Sequence, residues 1–247
     1  GFRASTHQFV AAVVADFLPH PGAHIQIVQN AAHAQRLRGS VFMPHWPQPN
    51  LIERNALRKD RFERAAFFGD PSNLLPELAD PRFESRLESE TGVRLEIRGA
   101  DRWHDYSDVD LVLAIRDFSK ARHLHKPATK LYNAWLAGVP LIGGGDSAYA
   151  AEARAGSDYL VVHSAEECIH LVKQLRDNPV LRDSIVKSGQ KKSAARSRDA
   201  VRKMWGDFCS ATLPERIKQW ESKSPLEKCL FWAAQKGRFF IDRKFRS

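Results

Sequence analysis

An α/β domain with a mostly parallel sheet is the fold class this sequence predicts, and three observations predict it. Strand-like and helix-like segments alternate between residues 65 and 163, with about five strands among them. DVDLVLAIR (108–116) is a near-continuous apolar run, as expected of a central strand covered on both faces. Glycine and capping residues punctuate the segments where strands and helices should stop.

The elements follow in order. AHIQIVQN (23–30) reads as a strand ending at a polar turn. SVFMPHWPQPNLI (40–52) carries prolines at 44, 47 and 49, each of which removes a donor and biases its predecessor toward extended backbone. It reads as an ordered extended connector and a domain boundary. AAFFG (65–69) is a short buried strand, and PSNLLPELADPRFESRLESET (71–91) carries helical stretches with an acidic face. VRLEIRG (93–99) alternates as a strand does. KPATKLYNAWLAG (126–138) reads as a helix with a glycine stop, followed by a strand and glycine turn in VPLIGGG (139–145). DYLVVH (158–163) is the last strand. Ser164 and Glu167 form a capping box for the next helix, and Asn178-Pro179 starts another. Basic helical sequence then runs toward Cys209.

With 247 residues, 43% hydrophobic and 27% charged, the chain can bury a sizeable core, which excludes global disorder. No apolar stretch approaches a membrane span, and the apolar patch Phe9–Val14 lacks the flanks of a signal peptide. Cys168, Cys209 and Cys229 are odd in number and widely spaced, which suits a reducing, cytoplasmic compartment and excludes a disulfide framework or zinc site. The net charge of +9 favours anionic partners. Residues 214–247 hold nine basic and four acidic residues, more than half of that excess, so nucleic acid is not expected as a partner. This tail also carries Trp220, Phe231, Trp232, Phe239 and Phe240, with Ser224-Pro225 as a helix start. If helical, it places Leu226, Leu230 and Ala233 on one face. That face either packs on the protein, the favoured reading, or lies on an anionic membrane surface, making the protein membrane-peripheral through 225–247.

In an open α/β sheet ligands bind beyond the carboxyl ends of the strands. Three such ends draw attention. Gly69-Asp70 follows the first strand, where glycine permits close approach of a ligand or simply makes a turn. The segment 116–130 carries Arg116, Lys120, Arg122, Lys126 and Lys130 with His123 and His125, and leads into a helix. Free N–H groups and the positive end of the helix dipole beside lysines would hold a diphosphate; otherwise this is a solvated basic loop. Gly143 to Tyr149 can present consecutive N–H groups to a phosphate. It matches neither a Walker loop nor the dinucleotide-binding glycine fingerprint. Trp103 could stack on a base and His104 serve as acid or base, or the loop could be an apolar anchor. Asp108 and Asp110 have the spacing of metal-dependent sugar transferases but stand where a strand begins, the wrong end for a site, and are expected to be structural. No metal site, cofactor or catalytic residue is assigned.

KPATKLYNAWLAGVPLI resembles a segment of glycosyltransferases, P-x-K-L-x-E-A-x-A-x-G-x-P-V-I. DYLVVHSAEECIHLVKQLRDNPVLRDSIVKSGQKKS is similar to the closing strand, helix and L-x-x-x-P-x-L-R stretch of the same family, and AAFFGDPSNL to its opening strand and glycine loop. In order and spacing they cover roughly 65–209 and resemble the C-terminal, donor-binding domain of GT-B glycosyltransferases. The resemblance implies a Rossmann-like sheet, with 53–213 as donor-binding domain, 1–52 as the tail of an acceptor-side domain and connector, and 214–247 as a basic helical tail. It implies donor contacts from Lys126, Thr129 and Lys130 and from Gly144, Gly145, Asp146 and Ser147. Where retaining members carry two glutamates, this sequence has His125 and Asn133, the latter able to bond the donor ribose as a neutral group. Glu152 stands near a later family glutamate. The expected activity is metal-independent transfer of a sugar from a nucleoside diphosphate to a hydroxyl acceptor, an envelope glycan or lipid-linked acceptor among the candidates. The alternatives are a silent nucleotide- or partner-binding module and a sugar-nucleotide epimerase.

Overall fold

The computed structural model describes the backbone of residues 8–119 and 123–244, and the side chains of those residues up to 235. Lys120 and Arg122 lie outside the described residues, as do the side chains of Phe239 and Phe240.

Two parallel sheets organise the molecule. The smaller contains β1 (Ala11–Val14), β2 (Ile25–Val28) and β3 (Ser40–Phe42) in that spatial order. The larger contains β4 (Arg64–Phe68), β5 (Arg94–Arg98), β6 (Leu111–Ala114), β7 (Leu141–Gly143) and β8 (Leu160–Val161), ordered β5-β4-β6-β7-β8 with every pair parallel. Helices cover both faces of this sheet. Ala65 and Phe67 point to one side, Ala66 and Phe68 to the other, because strand side chains alternate. The first side is closed by α2 (Pro81–Thr91), α5 (Ala165–Asp177) and α6 (Pro179–Ser193), through Phe83, Leu87, Ile169, Val172 and Ile185. The second is closed by α3 (Thr129–Ala137) and α4 (Ser147–Glu152), through Leu131, Trp135, Ala148 and Tyr149. The five expected strands are all present, and their doubly wound arrangement is the α/β, Rossmann-like class.

Several boundaries differ from the sequence expectation. The stretch 71–91 is helical as α2 only from Pro81; before it, Pro71–Asn73 and Pro76–Ala79 make single 3-10 turns. Pro76 and Pro81 each lack an N–H and would interrupt a continuous helix. α3 starts at Thr129 rather than Lys126, because Pro127 disfavours helical backbone before it. The connector opens with β3, and the Phe9–Val14 patch supplies β1. The Ser164 hydroxyl accepts from Glu167 N–H at 3.1 Å, and the Glu167 carboxylate reaches back to His163 N–H at 2.7 Å, closing the cap of α5.

The chain then crosses back to the small sheet. α1 (Ala31–Arg36) joins β2 to β3, and α7 (Arg198–Asp207), a π-turn at Phe208–Thr212 and α8 (Leu213–Glu221) follow the larger sheet. Met204, Trp205, Phe208 and Leu213 pack on Ile25, Ile27 and Met43. α9 (Pro225–Lys244) follows, capped by Ser224 and Glu227. Its Phe231 stacks on His24 at 4.9 Å, Trp232 lies edge-on to the same ring at 5.0 Å, and Gln235 donates to the Ala23 carbonyl at 3.1 Å. The helix therefore packs on the protein through Phe231 and Trp232. The face of Leu226 and Leu230 is not the packed one; these residues are 69% and 60% exposed. Among the described residues no helix is long and apolar enough to cross a membrane.

One glycine locks α3 to α6. A Cβ on Gly189 would stand 2.2 Å from Cδ1 of Trp135, which is 4% exposed and tied by its indole N–H to the Asp158 carbonyl at 3.0 Å. Helix propensity alone predicts that Gly189→Ala stabilises by about 1 kcal/mol. The overlap predicts instead a net loss of about 1–3 kcal/mol, visible as a lower urea midpoint.

Candidate functional site

The order β5-β4-β6-β7-β8 contains a switch point. From β4 the chain moves outward to β5, then returns past β4 to β6 and continues the other way. The loops after β4 and β6 therefore diverge and leave a crevice at their carboxyl ends. A cleft of about 300 Å³ lies there. Gly69 and Asp70 come to it from the end of β4, Arg116 from the end of β6, Lys126 from the loop before α3, and Thr129, Lys130 and Asn133 from α3. Trp103 lines it as well.

Gly69 has φ +151°, a backbone angle that favours glycine, and a Cβ there would meet the Phe67 ring at 3.3 Å and Lys130 Nζ at 3.5 Å. Its side-chain-free surface leaves room over the lysine. The Lys130 ammonium lies 5.0 Å from the Phe67 ring centre and has no carboxylate partner among the described residues. Burial pushes its pKa down to about 8, with Arg116 and Lys126 adding repulsion. The neighbouring Thr129 hydroxyl is buried with no hydrogen-bond partner among the described residues. Both sit in the first turn of α3, where backbone N–H groups are also free and the dipole is positive. Arg116 is held by Asp146, Nε to Oδ2 at 3.2 Å. Lys126 donates to Asp16 at 2.8 Å, a contact from the small-sheet side of the molecule.

The remaining sequence candidates are placed differently. Gly144, Gly145, Asp146 and Ser147 do not line the cleft. Gly144 is small because the chain crosses it: a Cβ would stand 2.6 Å from the Asp117 carbonyl. The Asp146 carboxylate caps α4 through Ala148 N–H at 2.8 Å, and burial raises its pKa despite that bond and Arg116. Ser147 receives the Asn30 amide at 3.1 Å. The glycine turn thus supports Arg116 from behind. Asn133 lines the cleft, but its Oδ1 accepts the Gln48 N–H at 2.9 Å and so fastens the connector to α3. Asp70 is turned to Ser72, whose N–H it accepts at 2.9 Å. The Trp103 indole donates to the Arg98 carbonyl at 3.0 Å, which fixes the ring at the cleft edge. His104 does not line the cleft; its carbonyl accepts from Ile52 N–H. Glu152 is taken by Arg196 at 2.7 Å. His123 pairs with Asp117.

Asp108 binds Arg64 and Arg98, and Asp110 binds Arg54 and Arg58, so both carboxylates are structural, as their position before the strand predicts. Sequence reasoning missed Asp16, His45, Gln48 and Asn73, which also line the cleft. The extended connector was a signal for His45 and Gln48; nothing local marked Asp16.

Residues 81–202 match the family described as glycosyl transferase-like. No curated protein sequence matches. Among solved structures, Anabaena Alr3699/HepE in complex with UDP and glucose superposes with a TM-score of 0.58 at 13% identity, covering 77% of this chain and 64% of that one. The pneumococcal O-GlcNAc transferase GtfA in complex with UDP and GlcNAc gives 0.56 at 14% identity, covering 79% of this chain and 46% of that one. Sucrose-phosphate synthase from Thermosynechococcus elongatus gives 0.55 at 13% identity, covering 78% and 59%. The chain thus spans less than two thirds of the length of each of these proteins. Through its five-stranded domain the chain shares the GT-B fold of these glycosyltransferases, and its residues 81–202 carry the glycosyl transferase-like match.

Proposed function

We propose that the cleft holds the diphosphate of a nucleoside diphosphate sugar and that the chain serves transfer of the sugar to a hydroxyl acceptor. The observation carrying this reading is the first turn of α3. It combines, among the described residues, an unpaired lysine, a buried unpartnered hydroxyl and free helix N–H groups at the switch point. Lys130, Arg116 and, once released from Asp16, Lys126 would neutralise the charge that develops on the leaving diphosphate. Three cations supply there what a divalent ion would otherwise supply. The UDP complexes of the Anabaena and pneumococcal proteins are consistent with a uridine nucleotide as the donor's carrier.

In this reading 53–213 is the donor domain, and 1–52 and 214–247 belong to the acceptor side. Calorimetric titration with UDP and GDP tests it: one of the two binds, and binding survives EDTA. Loss of binding in EDTA with recovery on manganese would overturn the metal-independent form. Donor turnover, as hydrolysis or transfer, separates an enzyme from a silent binding module, and product analysis separates transferase from epimerase. The exposed Leu226 and Leu230 beside the basic residues of α9 favour a second role, contact with an anionic membrane surface. Failure of the full chain to sediment with anionic vesicles at low salt would remove it.

A further inference from the structure

A second, larger groove of about 690 Å³ lies beside the cleft. Gln48 lines both, so the two cavities adjoin across the connector that Asn133 fastens to α3. One wall is flat and rigid: Trp46, 38% exposed, stands between buried Pro44 and Pro47, with Leu51 and Leu136 completing it. The other wall carries two arginines, against the single carboxylate of exposed Glu53 at the groove's border, so the lining is net positive. Arg198 and Arg202 lie four residues apart, on one face of α7, and both border the groove. Arg198 has no hydrogen bond or ion pair with any described residue, and Arg202 meets only Asp199 at 3.3 Å, both side chains being mostly exposed. Ser197, the N-cap of α7, borders it too, so the helix dipole adds to the positive field.

An aromatic face opposite two exposed guanidinium groups, that of Arg198 unpaired among the described residues and that of Arg202 shared with Asp199, is complementary to a sugar ring bearing a negative charge. The ring's C–H face packs on indole, and a carboxylate or phosphate takes a forked guanidinium. The volume is within the range of small-molecule sites. We infer that this groove is a binding subsite for an acidic saccharide, with Trp46 as platform and Arg198 and Arg202 as the anion contacts. Its place next to the cleft makes that saccharide the acceptor, a step that rests on the glycosyltransferase reading.

The test uses the full chain and two probes of equal length, a hyaluronan tetrasaccharide and neutral chitotetraose, titrated by calorimetry at low and at physiological salt. The acidic probe is expected to bind and the neutral one to bind at least about tenfold more weakly, the worth of one charge-assisted hydrogen bond. Arg198→Ala with Arg202→Ala should remove that preference, and Trp46→Ala should weaken both probes. UDP and GDP titrations of the arginine variant should match the parent, since neither arginine borders the cleft. Equal binding of the two probes, or no binding of the acidic one, overturns the inference. So does an arginine variant that retains the preference. If the acidic probe binds as expected while neither nucleotide binds, the subsite stands and the donor reading falls.

Discussion

Replacing Lys130 with methionine is expected to stabilise the fold at neutral pH while weakening nucleoside diphosphate binding by about 1.5–3 kcal/mol, the worth of a hydrogen bond to a charged group. The opposed signs follow from one fact. Burial moves the lysine from 10.5 to about 8. That difference corresponds to about 3 kcal/mol of cost for holding the charge, of which about 2 kcal/mol should be recovered given the solvent in the cleft. At pH 7 both folded and unfolded chains carry the proton, so the cost is present in full. As pH rises through about 8, the folded protein sheds the proton before the unfolded chain does. Parent stability then gains on the variant, and the gap closes near the unfolded-chain value of about 10.4. Nucleotide affinity of the parent should fall over the same rise, because the neutral amine no longer meets the phosphates. Urea melts at pH 7 and pH 10, with UDP and GDP titrations at pH 7 and pH 9, measure both. A variant less stable than the parent at pH 7, or one that binds nucleotide unchanged, contradicts the account.

The largest loss of stability is expected from Asp110→Ala, about 3–5 kcal/mol, the usual cost of orphaning buried charge. The Asp110 side chain is fully buried. It accepts from Arg54 at 2.9 Å, Arg58 at 2.6 Å, Glu63 N–H at 2.9 Å and Arg64 N–H at 3.1 Å. Burial opposes its ionisation, but these bonds, Arg58 foremost, hold its pKa below the ordinary carboxylate value. Its stabilising contribution is therefore present at neutral pH and is lost as pH falls through that depressed value. Asp110→Asn should keep part of the network and melt between parent and alanine variant, with a flatter acid limb. Manganese should leave the parent's thermal midpoint unchanged, since the arginines occupy both aspartates of the Asp108/Asp110 pair. A raised midpoint would show that they hold metal.

The sheet, its helices and the cations of the cleft were legible in the chain itself, because their signals are local. Apolar runs such as Leu111–Ala114 mark a buried parallel strand, and the Asp-rich start and basic end of that strand tell its two ends apart. Lys130 was legible because it opens the helix that follows the basic loop after β6, and Thr129 through the resemblance to glycosyltransferases. The glycine turn carried the same kind of local signal but is used differently. Gly144 is needed for passage of the Asp117 backbone, and no pattern within the turn tells a phosphate nest from a close crossing. Likewise Asn133 looked free to meet a ribose until the connector, 85 residues earlier, took its oxygen. Asp16 reaches Lys126 across 110 residues of chain. The packed face of α9 is the one whose Phe231 and Trp232 meet the His24 ring, a contact made across about 200 residues of chain, and not the periodic leucine stripe. Periodicity and strand-end chemistry are properties of neighbouring residues and survive in the sequence. Which polar group is already satisfied, and which is left to meet a ligand, depends on partners that only the folded chain brings within 3 Å.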